Sequence, residues 1–163
     1  LKKVLKTRIC GKHLQSNRKE LKMSQWTHVL GVIRYDYMAQ NIWTSETNGR
    51  PKCYNPNEKI KLLNKLYKKD IPSGSEGPLQ VHIHNSNRGP AVTITGDLRD
   101  FGKDEVLNIK YWLNNIDKEI KKYNEDKEFD DFLEIRDAII SCNVEYSDTV
   151  LFVYKDDSFK MEK

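Results

Sequence analysis

From Gln25 to Asp36 the chain reads QWTHVLGVIRYD, dense in β-branched and aromatic residues. In an extended strand Val29, Ile33 and Tyr35 share one face, and Trp26, His28, Leu30 and Val32 share the other. Apolar side chains on both faces predict a central strand, and Gly31 within it suits a place where another chain segment comes close. Residues 37 to 54 hold no sustained period and contain Asn48-Gly49-Arg50-Pro51, which predicts a long loop with room for a short strand or helical turn near Ala39 to Trp43. Asn55-Pro56-Asn57-Glu58 then writes a helix start, with Asn as N-cap, Pro at the first helical position and Glu placed for a capping box. Ile60, Leu63 and Tyr67, with Leu62 and Leu66 beside them, make its inward face. Lys59, Lys61, Lys65, Lys68 and Lys69 make a solvated one, and Ile71-Pro72 stops the helix.

The stretch from Ser73 to Phe101 is a glycine-rich entry, a strand, a turn, a second strand and a charged exit. Leu79, Val81 and Ile83 alternate with Gln80, His82 and His84, and Val92 and Ile94 alternate with Thr93 and Thr95. Asn85 to Pro90 supplies the turn, and Gly96-Asp97-Leu98-Arg99-Asp100 closes the unit. Val106, Ile109, Leu113, Ile116 and Ile120 then recur at helical spacing, the strongest periodic signal in the chain. Asn124 to Asp131 is charge-rich, and Phe129, Phe132 and Leu133 could add a helical turn. Two further strands are expected at Arg136 to Tyr146 and Thr149 to Tyr154, with a loose tail after Asp156.

Strand, helix, strand, strand, helix, strand, strand is an α+β order. Two helices cannot cover both faces of such a sheet, so an antiparallel sheet with both helices on one face is expected. The β-α-β-β-α-β succession predicts a ferredoxin-like core with one added C-terminal strand.

Charge changes the picture once it is divided. Residues 1 to 22 hold eight Lys/Arg against Glu20, a net of +7, so residues 23 to 163 carry −3 of the chain's overall +4. With 163 residues, one domain is expected over residues 23 to 156, with a tail at 157 to 163. The leader has no apolar core of signal-peptide kind, and Met23-Ser24 resembles a translation start. Residues 1 to 22 therefore read as an upstream extension, or as a basic arm that binds nucleic acid or a partner. Cys10, Cys53 and Cys142 are odd in number and widely spaced, as befits reduced thiols. No run approaches the roughly 20 apolar residues of a membrane span, so a cytoplasmic protein is the expectation.

Candidate chemistry gathers on the predicted hairpin. His82 and His84 project from one face, which Thr93 and Thr95 on the neighbouring strand could share. Further zinc ligands are distant, His28 or Cys142, and only His84-Asn85-Ser86 matches the paired H-x-[ST] motifs of two-histidine phosphoesterases. Arg88-Gly89 begins like the third strand of an RNA-recognition module, but no aromatic residue follows to stack a base. Arg99, between Asp97 and Asp100, could form an ion-pair lock or offer a guanidinium to a phosphate or a partner carboxylate. Trp43 and Arg50 on the long loop complete the contact candidates. No nucleophile and base pair, metal set or cofactor motif is evident, which tilts the reading toward a binding protein.

Trp26-Thr27-His28, Gly74-Ser75-Glu76-Gly77-Pro78-Leu79 and Gly96-Asp97-Leu98-Arg99-Asp100-Phe101 together resemble a group of small proteins encoded by phages and prophages of low-GC Gram-positive bacteria. The resemblance runs from Met23 to about Tyr154 and carries no catalytic residues. It implies a counter-defence role in the bacterial host cell, exerted by blocking a defence protein or ribonucleoprotein complex as anti-CRISPR proteins do, or by sequestering a nucleotide signal. A non-enzymatic inhibitor is the first expectation, a nucleotide or RNA binder the second and a metal-dependent phosphoesterase the third. A homo-oligomer is compatible with each.

Overall fold

In the computed structural model, residues 24–37, 56–86, 89–125 and 132–162 are described. The period-two segment at the start is strand β1, Trp26–Tyr37, and the proline-started helix is α1, Pro56–Lys68. The glycine-rich entry folds as a small ribbon of two two-residue strands, β2 (Ser73–Gly74) and β3 (Gly77–Pro78). Strands β4 (Gln80–Ser86) and β5 (Gly89–Arg99) form the hairpin, followed by helix α2, Val106–Glu125. Strands β6 (Leu133–Val144), β7 (Val150–Lys155) and β8 (Ser158–Glu162) complete the chain.

Six strands make one antiparallel sheet in the order β4-β5-β1-β6-β7-β8, so the fold is α+β. β1 is interior, between β5 and β6, as its two apolar faces predict. Gly31 is required there: a Cβ at this position would fall 2.6 Å from Ile140 Cγ1. Both helices lie on one face. Their buried residues, among them Leu63, Tyr67, Ile109, Leu113 and Ile120, join Val29, Ile33, Val92, Ile94, Ile140 and Phe152 of the sheet in a single core. Every residue of the predicted α2 stripe is buried.

Five expectations are corrected. The tail after Asp156 is strand β8, which pairs with β7 and buries Phe159. Asp156 and Asp157 make the connecting turn at φ 45° and 56°, a backbone that usually advertises itself with Gly or Asn. The sheet therefore gains two strands beyond β6 rather than one. Leu133 belongs to β6 and not to a helical turn; its backbone N–H and carbonyl pair with the Asn124 side chain. The β4–β5 turn is shorter than Asn85 to Pro90 and β5 longer, running through Gly96 to Arg99. Gly89 at φ 144° lies so close to β1 that a Cβ would sit 2.0 Å from the Tyr35 carbonyl oxygen. Finally, Lys59 is buried rather than solvated, donating through Nζ to the Phe132 carbonyl at 2.8 Å.

The buried polar side chains of the described core are hydrogen-bonded. The Tyr35 and Tyr67 hydroxyls lie 2.6 Å apart, fully enclosed, and Tyr67 meets Trp112 edge-on at 5.6 Å. Asp117, also buried, accepts from Tyr154 Oη at 2.9 Å and Lys121 Nζ at 2.7 Å. Tyr35→Phe should leave the Tyr67 hydroxyl buried without its partner and cost about 1–3 kcal/mol. The Tyr35→Phe/Tyr67→Phe double variant should lose less than the sum of the two single losses, as measured by urea unfolding in a double-mutant cycle. Strict additivity would refute the pairing.

Burial also sets a pH limit. The Cys142 thiol is pushed up to about 12 by desolvation. Desolvation likewise raises the Tyr35, Tyr67 and Tyr154 hydroxyls, Tyr154 with added help from its hydrogen bond to Asp117. In the unfolded chain these groups ionise in their ordinary ranges, near about 8.5 for the thiol and 10 for the phenols. As pH rises above those values the unfolded state sheds protons first, and stability falls. The urea midpoint should decline steadily between about pH 8.5 and 11, with a shallower decline in Cys142→Ala; a flat midpoint over that range would contradict the burial of these groups.

Candidate functional site

The side of the sheet opposite the helices is built by register. Gln80, Thr95, Leu30, Ser141, Leu151 and Glu162 form one row across all six strands, and His82, Thr93, Val32, Ile139, Val153 and Lys160 form the next. No described helix covers these rows. Leu30 is 63% exposed, Ile139 54% and Val32 38%, and Leu151 and Val153 are half-buried beside them. The result is an apolar centre on an open β surface.

Polar and charged pairs border that centre at both ends. Arg34 Nε donates to Asp137 Oδ1 at 2.6 Å, Arg136 Nε to Asp137 Oδ2 at 3.2 Å and Arg136 Nη1 to Asp36 Oδ1 at 2.9 Å. A register shift in the β1–β6 pairing, between Arg34 and Tyr35, brings Arg136 into this cluster. At the opposite end His28 Nδ1 lies 2.6 Å from Asp97 Oδ1.

The same opposite end gathers the three distinctive sequence motifs. Trp26, Thr27 and His28 pair in register with Arg99, Leu98 and Asp97. The β2–β3 ribbon folds onto them: Ser75 N–H donates to the Arg99 carbonyl at 2.9 Å, and a Cβ on Gly74 would collide with that carbonyl at 2.6 Å. Arg99 Nη1 donates to Glu76 Oε1 at 2.7 Å, its Nε and Nη2 to Ser24 Oγ, and its guanidinium lies 6.0 Å from the Trp26 ring centre. Ser75 Oγ donates to Asp100 Oδ2 at 2.7 Å, and Thr27 Oγ1 to the Phe101 carbonyl. Glu145 accepts from the Trp26 N–H at 3.1 Å.

Arg99 is thus engaged in a lock, but with Glu76 as its carboxylate rather than the neighbouring Asp97 or Asp100. In a strand, Asp97 faces His28 across the ladder, and Asp100, at φ 58°, turns to Ser75. The hydrogen bond and charge of Glu76 raise the Arg99 pKa further above its ordinary value, fixing the cation. The other hairpin candidates lie apart from this cluster. His82 faces Thr93, Thr95 faces Gln80, and His84 faces Ala91; both histidines are exposed on the edge strand β4. Arg88, Trp43 and Arg50 lie outside the described residues.

Among the described residues no three His, Cys, Asp or Glu side chains converge as metal ligands, and no helix is long and apolar enough to cross a membrane. Sequence reasoning missed Leu30, Val32 and Ile139 as surface residues. Their signal lay in combining an apolar outer face on β1 with too few helices to cover it. The chain matches no protein-family model, no curated protein and no solved structure.

With its guanidinium held by Glu76, Ser24 and Trp26, Arg99 is a structural clamp between the ribbon and the start of β1. Arg99→Ala should lower the melting temperature by about 2–4 °C, and Glu76→Gln by less. An unchanged melting temperature in Arg99→Ala would refute the clamp, showing that these part-exposed contacts add nothing measurable to stability.

Proposed function

We propose that the chain is a non-enzymatic binding protein, a counter-defence inhibitor of phage type that engages a host immune complex by protein contact on its open sheet face. The observation that carries the binding reading is the exposure of Leu30, Val32 and Ile139 side by side on a rigid, antiparallel surface. Contiguous exposed apolar side chains within a charged border are the anatomy of a protein interface, with a desolvated centre and a wet rim. The counter-defence part rests on the likeness of the WTH, GSEGPL and GDLRDF motifs to phage-encoded proteins, and it puts the site of action in the bacterial host cytoplasm.

The succession β1-α1-β4-β5-α2-β6, with those strands side by side in the order β4-β5-β1-β6, also supports reading the core as ferredoxin-like, extended at its β6 edge by β7 and β8. Such a core leaves one sheet face for contacts. Nucleic acid fits this face less well than protein does. Trp26, the aromatic ring that the register brings to its end, lies under Arg99, and the basic groups Arg34, Arg136 and Arg99 are neutralised by Asp137, Asp36 and Glu76. A phosphate backbone needs uncompensated cations and stacking rings.

Expression in hosts carrying a panel of defence systems, followed by pull-down, tests the proposal. Rescue of a phage and recovery of one defence complex are expected, both lost in Leu30→Glu/Ile139→Glu with circular dichroism unchanged. The affinity loss should be at least about tenfold, since each apolar side chain contributes roughly 1.5–3 kcal/mol when buried. Failure to rescue any phage would refute counter-defence, and a co-purifying species absorbing at 260 nm would favour the nucleotide reading.

A further inference from the structure

On the far side of the core from the open sheet, α1 and α2 leave a furrow between them. Two adjoining cavities of about 240 and 430 Å³ share Leu66, Lys69 and Glu119 in their linings. The larger lies within the range of ligand-binding clefts, about 300–1,000 Å³. The walls come from one stripe of each helix: Leu62, Lys65, Leu66 and Lys69 from α1 and its end, and Trp112, Ile116, Glu119 and Tyr123 with Lys118 and Lys122 from α2. The stretch from Trp112 to Tyr123 runs three helical turns, about 16 Å.

Its lining carries more positive than negative charge. On other parts of the surface Arg34, Arg99, Lys121, Arg136, Lys155 and Lys160 each meet a carboxylate, whereas Lys61, Lys68, Lys103 and Lys110 do not among the described residues. Lys65, Lys69, Lys118 and Lys122 line the furrow without an ion pair among the described residues, against the two carboxylates Asp70 and Glu119. Four ammonium groups against two carboxylates thus leave a positive excess around a floor made of Leu62, Leu66 and Ile116.

We propose that this furrow is a second docking site, and that its occupant is an acidic amphipathic helix of a partner protein. Apolar side chains at i, i+3/i+4, i+7 and i+11 would fill the floor over three turns, and flanking Asp and Glu would meet the lysines on either wall. A nucleic-acid strand fits less well, because an apolar floor offers nothing to phosphates and Glu119, between the walls, repels them. The inference does not rest on the open-face reading, which concerns the opposite side of the sheet.

The test is selection of a displayed library of random 16-residue peptides on the full 163-residue chain. Counter-selection uses Lys65→Glu/Lys122→Glu, an exchange between good helix formers at exposed positions of opposite walls. Enriched sequences should alternate apolar residues at helical spacing with Asp or Glu. A fluorescein-labelled synthetic copy should bind at least about tenfold more weakly to Lys65→Glu/Lys122→Glu, lose affinity with added salt, and bind Leu30→Glu/Ile139→Glu as it binds the parent chain. Enrichment without acidic bias, no enrichment at all, or affinity indifferent to the charge reversal would overturn the proposal. So would tighter binding of a fluorescein-labelled 20-nucleotide single strand that the same charge reversal abolishes.

Discussion

Gly31 has no side chain, and the Ile140 side chain of the neighbouring strand fills the space a Cβ would take, 2.6 Å from its Cγ1. β1 is also hydrogen-bonded along its length to β5 on its other flank, and it joins the β4–β5 hairpin to the C-terminal β6–β8 meander. Everything else is arranged around that strand. Its inward residues Val29, Ile33 and Tyr35 anchor the core under both helices, and its outward residues Leu30 and Val32 have no described element to cover them. One strand therefore supplies both the centre of the core and the centre of the exposed apolar patch.

The three distinctive motifs lie far apart in sequence and meet at one end of this strand, where they satisfy one another. Arg99 with Glu76 and Ser24, Ser75 with Asp100, His28 with Asp97 and Thr27 with Phe101 pair the polar groups of the three motifs with one another. The motifs are distinctive because a ribbon, a strand start and a strand exit must interlock, with Gly74 allowing the ribbon's backbone to touch that of β5.

Periodicity made much of the architecture legible. The stripe from Val106 to Ile120 and the alternation along β4 and β5 each correspond to an element with the expected inward face, and β1 has the expected interior place in the sheet although its Leu30 and Val32 face is exposed. Failures came where polar residues did structural tasks that period alone does not register. Asp156 and Asp157 adopt a glycine-like turn, so β8 was hidden behind what reads as a charged tail. Lys59 shares the inward face of α1 with Leu63 and Leu66 at spacings of four and seven, yet a lysine among lysines reads as solvated. For the candidate site, the sharing of a face by His82 and Thr93 was legible because strand period fixes it. The partner of Arg99 was not, since Glu76 reaches it only through a ribbon whose fold depends on tertiary contact.

Perturbed ionisation bears on the choice between binding and catalysis. Strong shifts are a mark of active sites when they occur in a cleft where a substrate can exploit them. Among the described residues the large ones fall on Tyr35, Tyr67, Tyr154 and Cys142, and in each the first cause is desolvation. All four shifts raise the pKa and keep the group protonated, the opposite of what a nucleophile or general base requires at neutral pH. None of these four residues lines the furrow between the helices or faces the open rows of the sheet. The perturbations thus belong to packing, whereas the exposed features of the molecule are an apolar patch within paired charges and a lysine-walled furrow. These are the two features on which the proposed contacts rest, and they lie on opposite sides of the core.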